Sequence, residues 1–524
     1  MSAFAITGGE NDMRVTNNMI MNNSIRNINK TKQTTSKLND QMTSQKKINR
    51  PSEDPVIAIR SMRLRNSQAK IDQYLENNIN DAQNWLDSAE EALKNIKKSL
   101  SDTYAELENG INGEKTLENR QIILDNIRQL RDTIYSELNA DQYGRTIFTG
   151  YKTGSTLTFK EDDTTAKYTG IKETISYADV VQRNYYTASS VVPTATELAA
   201  DTGNATYNSN ESVTNAREYT YYRARVSYDN IDATSTSDIT VEFQNNNGVA
   251  MSPQPGLMGV TTSDKIDFSS IGTNEMYFLS DTGELVMGDN VAAMVLPESG
   301  QIQITYNKTG FDKGEIRPEM YFDCEKWDPN APDDATKTTK YTKEDQQIEF
   351  TIAENTTLTV NKQASDFISM AAYRDVDEYI NAMERALDAQ DKISQIEGLQ
   401  ASSQFANDDE KQAYLSHLKT AVQSELDYAM DNIETLFGHG ITSFQGYVED
   451  LAVAISDVGN KGSQLDLVKT RMENQQTNVE KLISDNEDKE LSQIVIEYTA
   501  AYNAYESALM AASKASDNTL LDYI

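Results

Sequence analysis

The 524-residue sequence contains few of the residues that build metal centres and covalent frameworks. It has one cysteine, Cys324, and two histidines, His417 and His439. One cysteine excludes an internal disulfide framework, and no second histidine or cysteine falls at ligand spacing from His417. His439 stands between two glycines, as loop residues do. We therefore expect no metal and no cofactor.

Long apolar runs are also missing, because nowhere do eighteen apolar residues follow one another. We expect no membrane insertion. Residues 1–13 lack a positively charged stretch followed by an apolar core, so no secretory signal peptide is expected. The mean hydropathy of -0.62 is polar for a chain of this length. An elongated architecture with limited burial would suit that balance.

Positive charge is scarce and unevenly placed. The net charge of -33 argues against a nucleic-acid partner, since phosphate would be repelled. Between Arg14 and Lys70, however, twelve basic residues stand against three acidic ones. Between Asp485 and Ile524, eight acidic residues stand against two basic ones. Such complementary ends favour pairing with each other.

The carboxyl-terminal segment has the apolar spacing of a coiled-coil seam. Because much of this seam is alanine, the helix buries too little apolar area to fold alone and needs a neighbour. A second helix near the amino terminus offers a matching face, and we predict that the two ends of the chain meet. The carboxyl-terminal seam is Leu491, Ile494, Tyr498, Ala501, Tyr505, Ala508, Ala512 and Ala515, and the amino-terminal face is Ile25, Ile28, Thr35, Leu38 and Met42.

Tyr502 lies beside the carboxyl-terminal seam. Two interpretations stand: the tyrosines fill a core within the chain, or Tyr502 meets a helix of another subunit.

A turn rich in proline separates the first two predicted helices. Pro51 disfavours helix at the residue before it, Asp54 suits an N-cap, and Pro55 suits the first turn of the next helix. We expect a hinge at this turn, after which a second helix begins. The restarted helix keeps one apolar face, Ile71, Leu75, Ala82, Leu86, Ala89, Leu93, Ile96, Leu100 and Leu107, and a returning helix presents Leu117, Leu124, Ile127, Ile134 and Leu138.

The periodicity then becomes alternating. A hairpin is predicted at 143–153, followed by strands that include Tyr219 to Val226, Ile239 to Phe243, Gln301 to Tyr306 and Gln347 to Val360. Seven of the nine prolines lie in this middle region, and none follows it. Helices are predicted again over Ala371 to Glu397, Asp409 to Leu436 and Thr442 to Ser484, with Phe437-Gly438-His439-Gly440 breaking the last two apart.

The predicted fold class is mixed α and β with the two segregated: a long α-helical coiled-coil rod built from both termini, with a β-rich insertion in the middle. The expected domains are a disordered extension over 1–13, a terminal coiled-coil domain over 14–50 and 485–524, a helical rod over 51–154 and 366–484, and a solvent-facing insertion over 155–365 that divides into two subdomains or forms one.

Several motifs resemble the flagellin superfamily, and most closely its members at the junction between hook and filament. They cover roughly the first 155 and the last 150 residues. Twelve residues precede the position at which such proteins usually begin, so Met1 and Met13 are both candidate translation starts. The motifs are Met13-Arg14-Val15-Thr16-Asn17-Asn18-Met19, Lys46-Lys47-Ile48-Asn49-Arg50-Pro51-Ser52-Glu53-Asp54-Pro55, Gly144-Arg145-Thr146-Ile147-Phe148-Thr149-Gly150-Tyr151-Lys152-Thr153, Asp457-Val458-Gly459 and Leu520-Leu521-Asp522-Tyr523-Ile524.

The resemblance implies a structural adaptor that leaves the cell unfolded through the type III export apparatus, served by an export chaperone. It implies self-association into a ring through the terminal helices, between a hook-associated protein and flagellin, at an extracellular place in the flagellum. A filament flagellin is the alternative, but the residues after Phe148 depart from the filament pattern Asn-Gly-x-Lys-Leu-Leu.

An enzymatic or carbohydrate-binding insertion is a third hypothesis. The sequence offers no Gly-rich phosphate loop and no Gly-x-Ser-x-Gly elbow. Glu161-Asp162-Asp163 lacks the later residues of a calcium loop, and the acidic neighbours of Cys324 would raise its pKa. We therefore expect no enzyme activity.

Overall fold

The computed structural model describes residues 17–111, 117–186, 191–200, 218–263, 265–296, 300–328, 331 and 337–517. Helices occupy both ends of this part of the chain and strands its middle, which confirms the predicted fold class. The chain divides into two compact units. One holds the described residues up to Asn80, residues 351–357 and those from Leu465 onward, and the other holds 81–350 and 358–464. The predicted extension 1–13 and the motif Leu520 to Ile524 lie outside the described residues.

The described helices range from 6 to 79 residues. They are α1 (Asn17–Ser44), α2 (Pro55–Gln73), α3 (Asn80–Ile111), α4 (Leu117–Leu138), α5 (Ala195–Ala200), α6 (Asp289–Val295), α7 (Met370–Ala401), α8 (Asp409–Glu487) and α9 (Leu491–Asp517). A six-residue π-helix, Tyr74–Ile79, joins α2 to α3 without a break.

The turn before α2 has the capping geometry that its sequence indicates. Asp54 is the N-cap residue in extended conformation, and its carboxylate accepts hydrogen bonds from the backbone N–H groups of Val56, at 2.9 Å, and Ile57, at 3.2 Å. Pro55 occupies the first turn, where its missing N–H costs nothing. These contacts fix where the second helix restarts.

Replacing Asp54 by Ala should weaken this start by about 1 kcal/mol, since two orphan N–H groups lose their acceptor. Hydrogen exchange at the amides of Val56 and Ile57 should accelerate accordingly. Ser52→Ala, two residues earlier and exposed, is the matched control and should leave both rates unchanged. Equal rates in all three proteins would contradict the capping role.

The apolar faces predicted for α3 and α4 are buried. Leu86, Leu93 and Ile96 are at most 2% exposed. On α4, Leu124 and Leu138 are buried to the same degree. The two helices are also joined by polar contacts, among them Asn95 Nδ2 to Glu137 Oε1 at 3.1 Å. The side chains of Leu107 and Leu117 lie outside the described ones.

One predicted helix break is wrong. The helix α8 continues from Asp409 to Glu487 for 79 residues and passes through Gly438 and Gly440. A glycine inside a helix costs only about 1 kcal/mol, whereas fully burying a large apolar side chain gains roughly 1.5–3 kcal/mol. Leu436 and Phe444, on either side of the glycines, are 3% and 2% exposed. Their packing therefore outweighs the local preference.

The strands form two five-stranded sheets and two small hairpins. Among the described strands, one sheet has the order β12-β11-β3-β10-β6 and the other has the order β4-β5-β9-β8-β7; the β7–β8 pair is parallel, and the other described pairs of that sheet are antiparallel. The strands are β1 (Asp141–Gln142), β2 (Arg145–Thr146), β3 (Asp163–Ser176), β4 (Val181–Tyr186), β5 (Glu218–Arg225), β6 (Thr240–Gln244), β7 (Gly259–Thr261), β8 (Met276–Leu279), β9 (Glu284–Met287), β10 (Gln301–Phe311), β11 (Asp323–Trp327), β12 (Thr338–Tyr341), β13 (Glu349–Ala353) and β14 (Thr356–Thr359).

Both five-stranded sheets contribute to one apolar core. It includes Tyr168 and Ile171 from β3, Phe278 from β8, and Ile304 and Tyr306 from β10, all at most 1% exposed. The β1–β2 hairpin turns through Tyr143 and Gly144, both with positive φ, so the turn lies at the start of the predicted stretch 143–153.

Candidate assembly surface on the terminal helices

The two terminal helices pack against each other. Backbone hydrogen bonds join their near ends: Lys47 N donates to Glu487 O at 2.6 Å, and Lys489 N donates to Gln45 O at 3.0 Å. Because the end of α1 meets the beginning of α9, the helices run antiparallel. The prediction that the two ends of the chain meet is confirmed.

Opposite charges concentrate where the ends join. Arg65 donates two parallel hydrogen bonds to Glu487, from Nε to Oε1 at 2.8 Å and from Nη2 to Oε2 at 2.6 Å. Lys46 Nζ lies 3.3 Å from Glu487 Oε2 and also pairs with Asp488, and the Ser61 hydroxyl donates to Glu487 as well. The hydrogen bond from Arg65 is the main reason that the pKa of Glu487 falls to about 2.

Replacing Glu487 by Gln should destabilise this junction by roughly 1–2 kcal/mol at neutral pH, because a charged acceptor of several donors is lost and its partners are partly solvated. The folded pKa of Glu487 lies below its ordinary 4.5, so the stabilisation exists above that value and disappears as pH falls towards 2. Urea unfolding of both proteins at several pH values measures the difference. A difference that does not shrink in this window would contradict the assignment.

The seam between α1 and α9 is weakly apolar. Among the described side chains of the two helices, the buried apolar ones are Leu38, at 8% exposure, and Ile494, at 0%. Half-buried positions continue the heptad spacing around them, at Ser24, Ile28, Thr31, Thr35 and Met42 on α1 and at Tyr498, Ala501, Tyr505, Ala508 and Ala512 on α9.

A second stripe runs along α9 beside this seam. Leu491, Val495, Tyr502 and Leu509 follow one another at steps of four, seven and seven, and each is between 41% and 47% exposed. A heptad spacing places them along one line of the helix. Scattered exposed apolar residues are ordinary, but a regular line of four is typical of a surface that receives another helix.

The predicted interface residues other than Ile25 lie on these two lines, whereas Ile25 is 49% exposed on α1. Tyr498 stacks on Tyr502 with ring centroids 6.1 Å apart. Leu38 and Ile494 are buried; Ile28, Met42, Tyr498, Ala501, Tyr505, Ala508 and Asp54 are half-buried; Ile25, Leu491, Tyr502, Pro51 and Pro55 are exposed. Sequence analysis did not single out the residues that join the two ends, Lys46, Arg65 and Glu487. The opposite local charges of the two segments nevertheless indicated such contacts.

Three residues that the sequence analysis singled out lie outside this surface: Cys324, His417 and His439. Burial is the main cause that raises the pKa of Cys324 to about 12. His417 is exposed on α8, and the side chain of His439 lies outside the described ones. The described residues include no cluster of three or more His, Cys, Asp or Glu placed to bind a metal. No described helix combines the length and apolarity needed to span a bilayer.

Residues 15–153 match the family described as "Bacterial flagellin N-terminal helical region". This stretch contains α1 to α4, the β1–β2 hairpin and the capped turn at Asp54. The match confirms the resemblance to the flagellin superfamily.

Among the relatives, the chain is similar to flagellar hook-associated protein 3. It is 29% identical to that protein of Escherichia coli (strain K12) over 164 residues, which are 31% of this chain and 50% of the relative. It is 26% identical over 142 residues to that of Salmonella typhimurium (strain LT2), covering 27% of this chain and 44% of the relative. The match thus spans about half the length of these curated relatives.

Two solved structures are also similar. The structure of a flagellar hook-associated protein from Vibrio parahaemolyticus covers 83% of this chain and 100% of its own, with 13% identity and a TM-score of 0.35. Xanthomonas campestris FlgL covers 80% and 99%, with 13% identity and a TM-score of 0.28.

Proposed function

We propose that this protein is a structural, non-enzymatic adaptor that joins the hook of a bacterial flagellum to its filament. The proposal rests on two findings. The first is the similarity to flagellar hook-associated protein 3. The second, which carries the mechanism, is the regular exposed stripe on α9 next to a weak seam with α1.

The stripe gives assembly a physical basis. Two helices of 28 and 27 residues that share so little buried apolar area are marginal in water. A neighbouring subunit that covers Leu491, Val495, Tyr502 and Leu509 would bury four large side chains, each contributing roughly 1 kcal/mol or more. Self-association therefore stabilises the same helices that form the interface. Of the two interpretations of Tyr502, its exposure favours contact with another subunit.

We further propose that copies of this chain form a ring, with a hook-associated protein on the hook side and flagellin on the filament side. Export before assembly, by the type III apparatus with a chaperone, suits terminal helices that remain weakly packed until neighbours cover them. The location is extracellular, at the junction of hook and filament.

Deletion of the gene tests this role. Cells should keep intact hooks, lose attached filaments and release filament protein into the medium. Plasmid-borne wild-type gene should restore attachment. Filaments that remain attached in the deletion strain would overturn the proposal.

Two variants, each expressed in the deletion strain, distinguish a lost interface from a lost fold. Val495→Glu with Tyr502→Glu places charge in the exposed stripe and should fail to restore filaments. Ser507→Glu adds charge on an exposed position away from the stripe and should restore them. Full complementation by the double variant would exclude the stripe from the interface.

A further inference from the structure

A lysine is buried between two carboxylates in the unit formed by residues 81–350 and 358–464. Lys308 lies near the end of β10 and is 2% exposed. Its nitrogen Nζ lies 3.4 Å from Oδ1 of Asp229, in the segment after β5, and 3.4 Å from Oε1 of Glu315, which follows β10. A lysine is almost never buried to this degree without a counterion, but one carboxylate would balance its charge. The second carboxylate is more than charge balance requires.

The distances around Nζ differ from those of a close ion pair. Its short contact, at 2.7 Å, is to the backbone carbonyl oxygen of Asp229. A charge-assisted hydrogen bond from an ammonium to a carboxylate is about 2.7–2.9 Å long, whereas atoms poised to react stand about 3–3.5 Å apart. Both carboxylates are in the second range. The backbone contact therefore holds the amine beside the carboxyl group of Asp229 at a reacting distance.

Aromatic rings cover the amine. Nζ lies 5.2 Å from the ring centroid of Phe311 and 5.9 Å from that of Tyr228. Both residues are at most 2% exposed. Because these rings close the amine off from solvent, the neighbouring carboxylates rather than water exchange protons with it.

Glu315 is placed to carry a proton. Its Oε1 faces Lys308, and its Oε2 accepts a hydrogen bond from the backbone N–H of Asp312 at 2.7 Å, which fixes the carboxyl group. Burial is the main cause that raises the pKa of Glu315 to about 7. A carboxyl group that titrates near neutral pH can both accept and release a proton there, as a general acid and base does.

Asp229 is accessible from the opposite side. Its side chain is 44% exposed, which gives a released water molecule a way out. Its Oδ2 lies 3.9 Å from Nη1 of Arg374, whose Nη2 donates to the carbonyl oxygen of Thr282 at 2.8 Å. A guanidinium held in this position would stabilise negative charge that develops on the Asp229 oxygen.

We propose that Lys308 and Asp229 condense into an isopeptide bond, with Glu315 as the proton carrier. Glu315 first moves one proton from the Lys308 ammonium to the Asp229 carboxylate, which leaves a neutral amine beside a neutral acid. The electron pair of Nζ attacks Cγ of Asp229, so the C–N bond forms and the carbonyl electron pair moves to the oxygen beside Arg374. Glu315 then takes a second proton from Nζ and gives it to the hydroxyl group of Asp229. The C–O bond breaks, the carbonyl re-forms and one water molecule leaves, with nothing oxidised or reduced.

The bond joins two segments that are 79 positions apart in the sequence. Closing so long a loop restricts the unfolded chain and thereby stabilises the fold, as a disulfide does. With one cysteine in the chain, an internal disulfide is excluded, whereas the amide needs no second cysteine and no oxidant. The cross-link is independent of the assembly role.

Mass spectrometry of the intact full-length protein under denaturing conditions tests the bond. The wild type should be lighter than its sequence by one water. Lys308→Arg and Asp229→Ala should each have the mass of their own sequence. Lys313→Arg, an exposed position on the same segment as Glu315, is the matched control and should be one water lighter, as the wild type is. A wild type at its full sequence mass would overturn the proposal and show that the three groups form an ion pair only.

Peptide mapping locates the bond. Trypsin should release from the wild type one branched peptide that contains both Asp229 and Lys308, uncleaved after Lys308. Water lost elsewhere, without this branched peptide, would equally overturn the proposal. The wild-type measurements decide whether the bond exists even if a variant fails to fold.

Glu315→Gln tests the proton carrier, because the amide keeps the shape of the side chain but does not exchange protons near neutral pH. The cross-linked fraction should fall at least tenfold in this variant. An undiminished fraction would refute the role assigned to Glu315.

Discussion

Removal of residues 491–524 should abolish self-assembly while leaving the unit of residues 81–350 and 358–464 folded. The deletion takes away the whole exposed stripe of α9 and the partner of α1. It removes one fully buried apolar side chain, Ile494, among those described, and none from the core formed by the two large sheets. Sedimentation should show a monomer at every concentration at which the wild type assembles.

Circular dichroism and thermal melting provide the complementary readout. The truncated protein should lose helical signal from α9 and from α1, which loses its neighbour, yet keep a cooperative melting transition for the second unit. A shorter deletion, residues 518–524, retains all of α9 and should still assemble. Collapse of the entire fold after the longer deletion would show that the terminal helices are part of a single cooperative structure.

Replacing Glu378 by Gln should be the most destabilising single substitution proposed for this protein. Glu378 pairs with Arg223 and Arg225, and Arg223 is almost fully buried. Removal of its charge leaves two guanidiniums with too few acceptors, which costs roughly 3–5 kcal/mol. Urea unfolding should show a corresponding fall in the midpoint with an unchanged slope.

Glu384→Gln on the same helix is the matched control. Glu384 pairs with Arg128 at the surface, where its side chain is 43% exposed, so its loss should cost no more than about 1 kcal/mol. Equal effects of the two substitutions would contradict the assigned difference in burial.

The pH dependence of the Glu378 effect has a definite sign. Burial alone would raise the pKa of this carboxyl, but the facing Arg223 and Arg225 hold it well below its usual range. A depressed folded pKa stabilises the protein above the unfolded value of about 4.5, and the contribution is lost only as pH falls through the folded pKa. The difference between wild type and Glu378→Gln should therefore persist at pH 4. Its disappearance near pH 4.5 would show that Glu378 titrates normally.

The helical ends were predictable because their signals are local and periodic. The heptad spacing around Ile494 and the opposite charges of the two segments indicated a pair of helices that meet. The capping role of Asp54 follows from a carboxylate placed directly before Pro55. Ile494 and Asp54 carry these signals and also make the corresponding contacts.

Two features of the fold could not be predicted from local sequence patterns. The sequence pattern does not delimit the strand β3, because a bulge at Gly170, with φ of +61°, shifts its alternation: Tyr168 and Ile171 are both buried three positions apart. The continuity of α8 through Gly438 depends on packing around Leu436 and Phe444 from distant parts of the chain. Tertiary contacts decide both, and a short sequence window does not contain them.

A cavity beside β4 and β5, lined by several arginines, was also beyond sequence analysis. Arg131, Arg183 and Arg223 come from three separated segments, and none belongs to a recognisable motif.

Hydrogen exchange on the purified monomer and on the assembled protein tests the central claim most directly. The claim is that α1 and α9 are incompletely stabilised until another subunit covers them. In the monomer, amides of α9 from Val495 to Leu509 should exchange at least a hundredfold faster than those of α3, and on assembly they should slow by at least that factor. Equally slow exchange of α9 and α3 in the monomer, with no change on assembly, would contradict the claim.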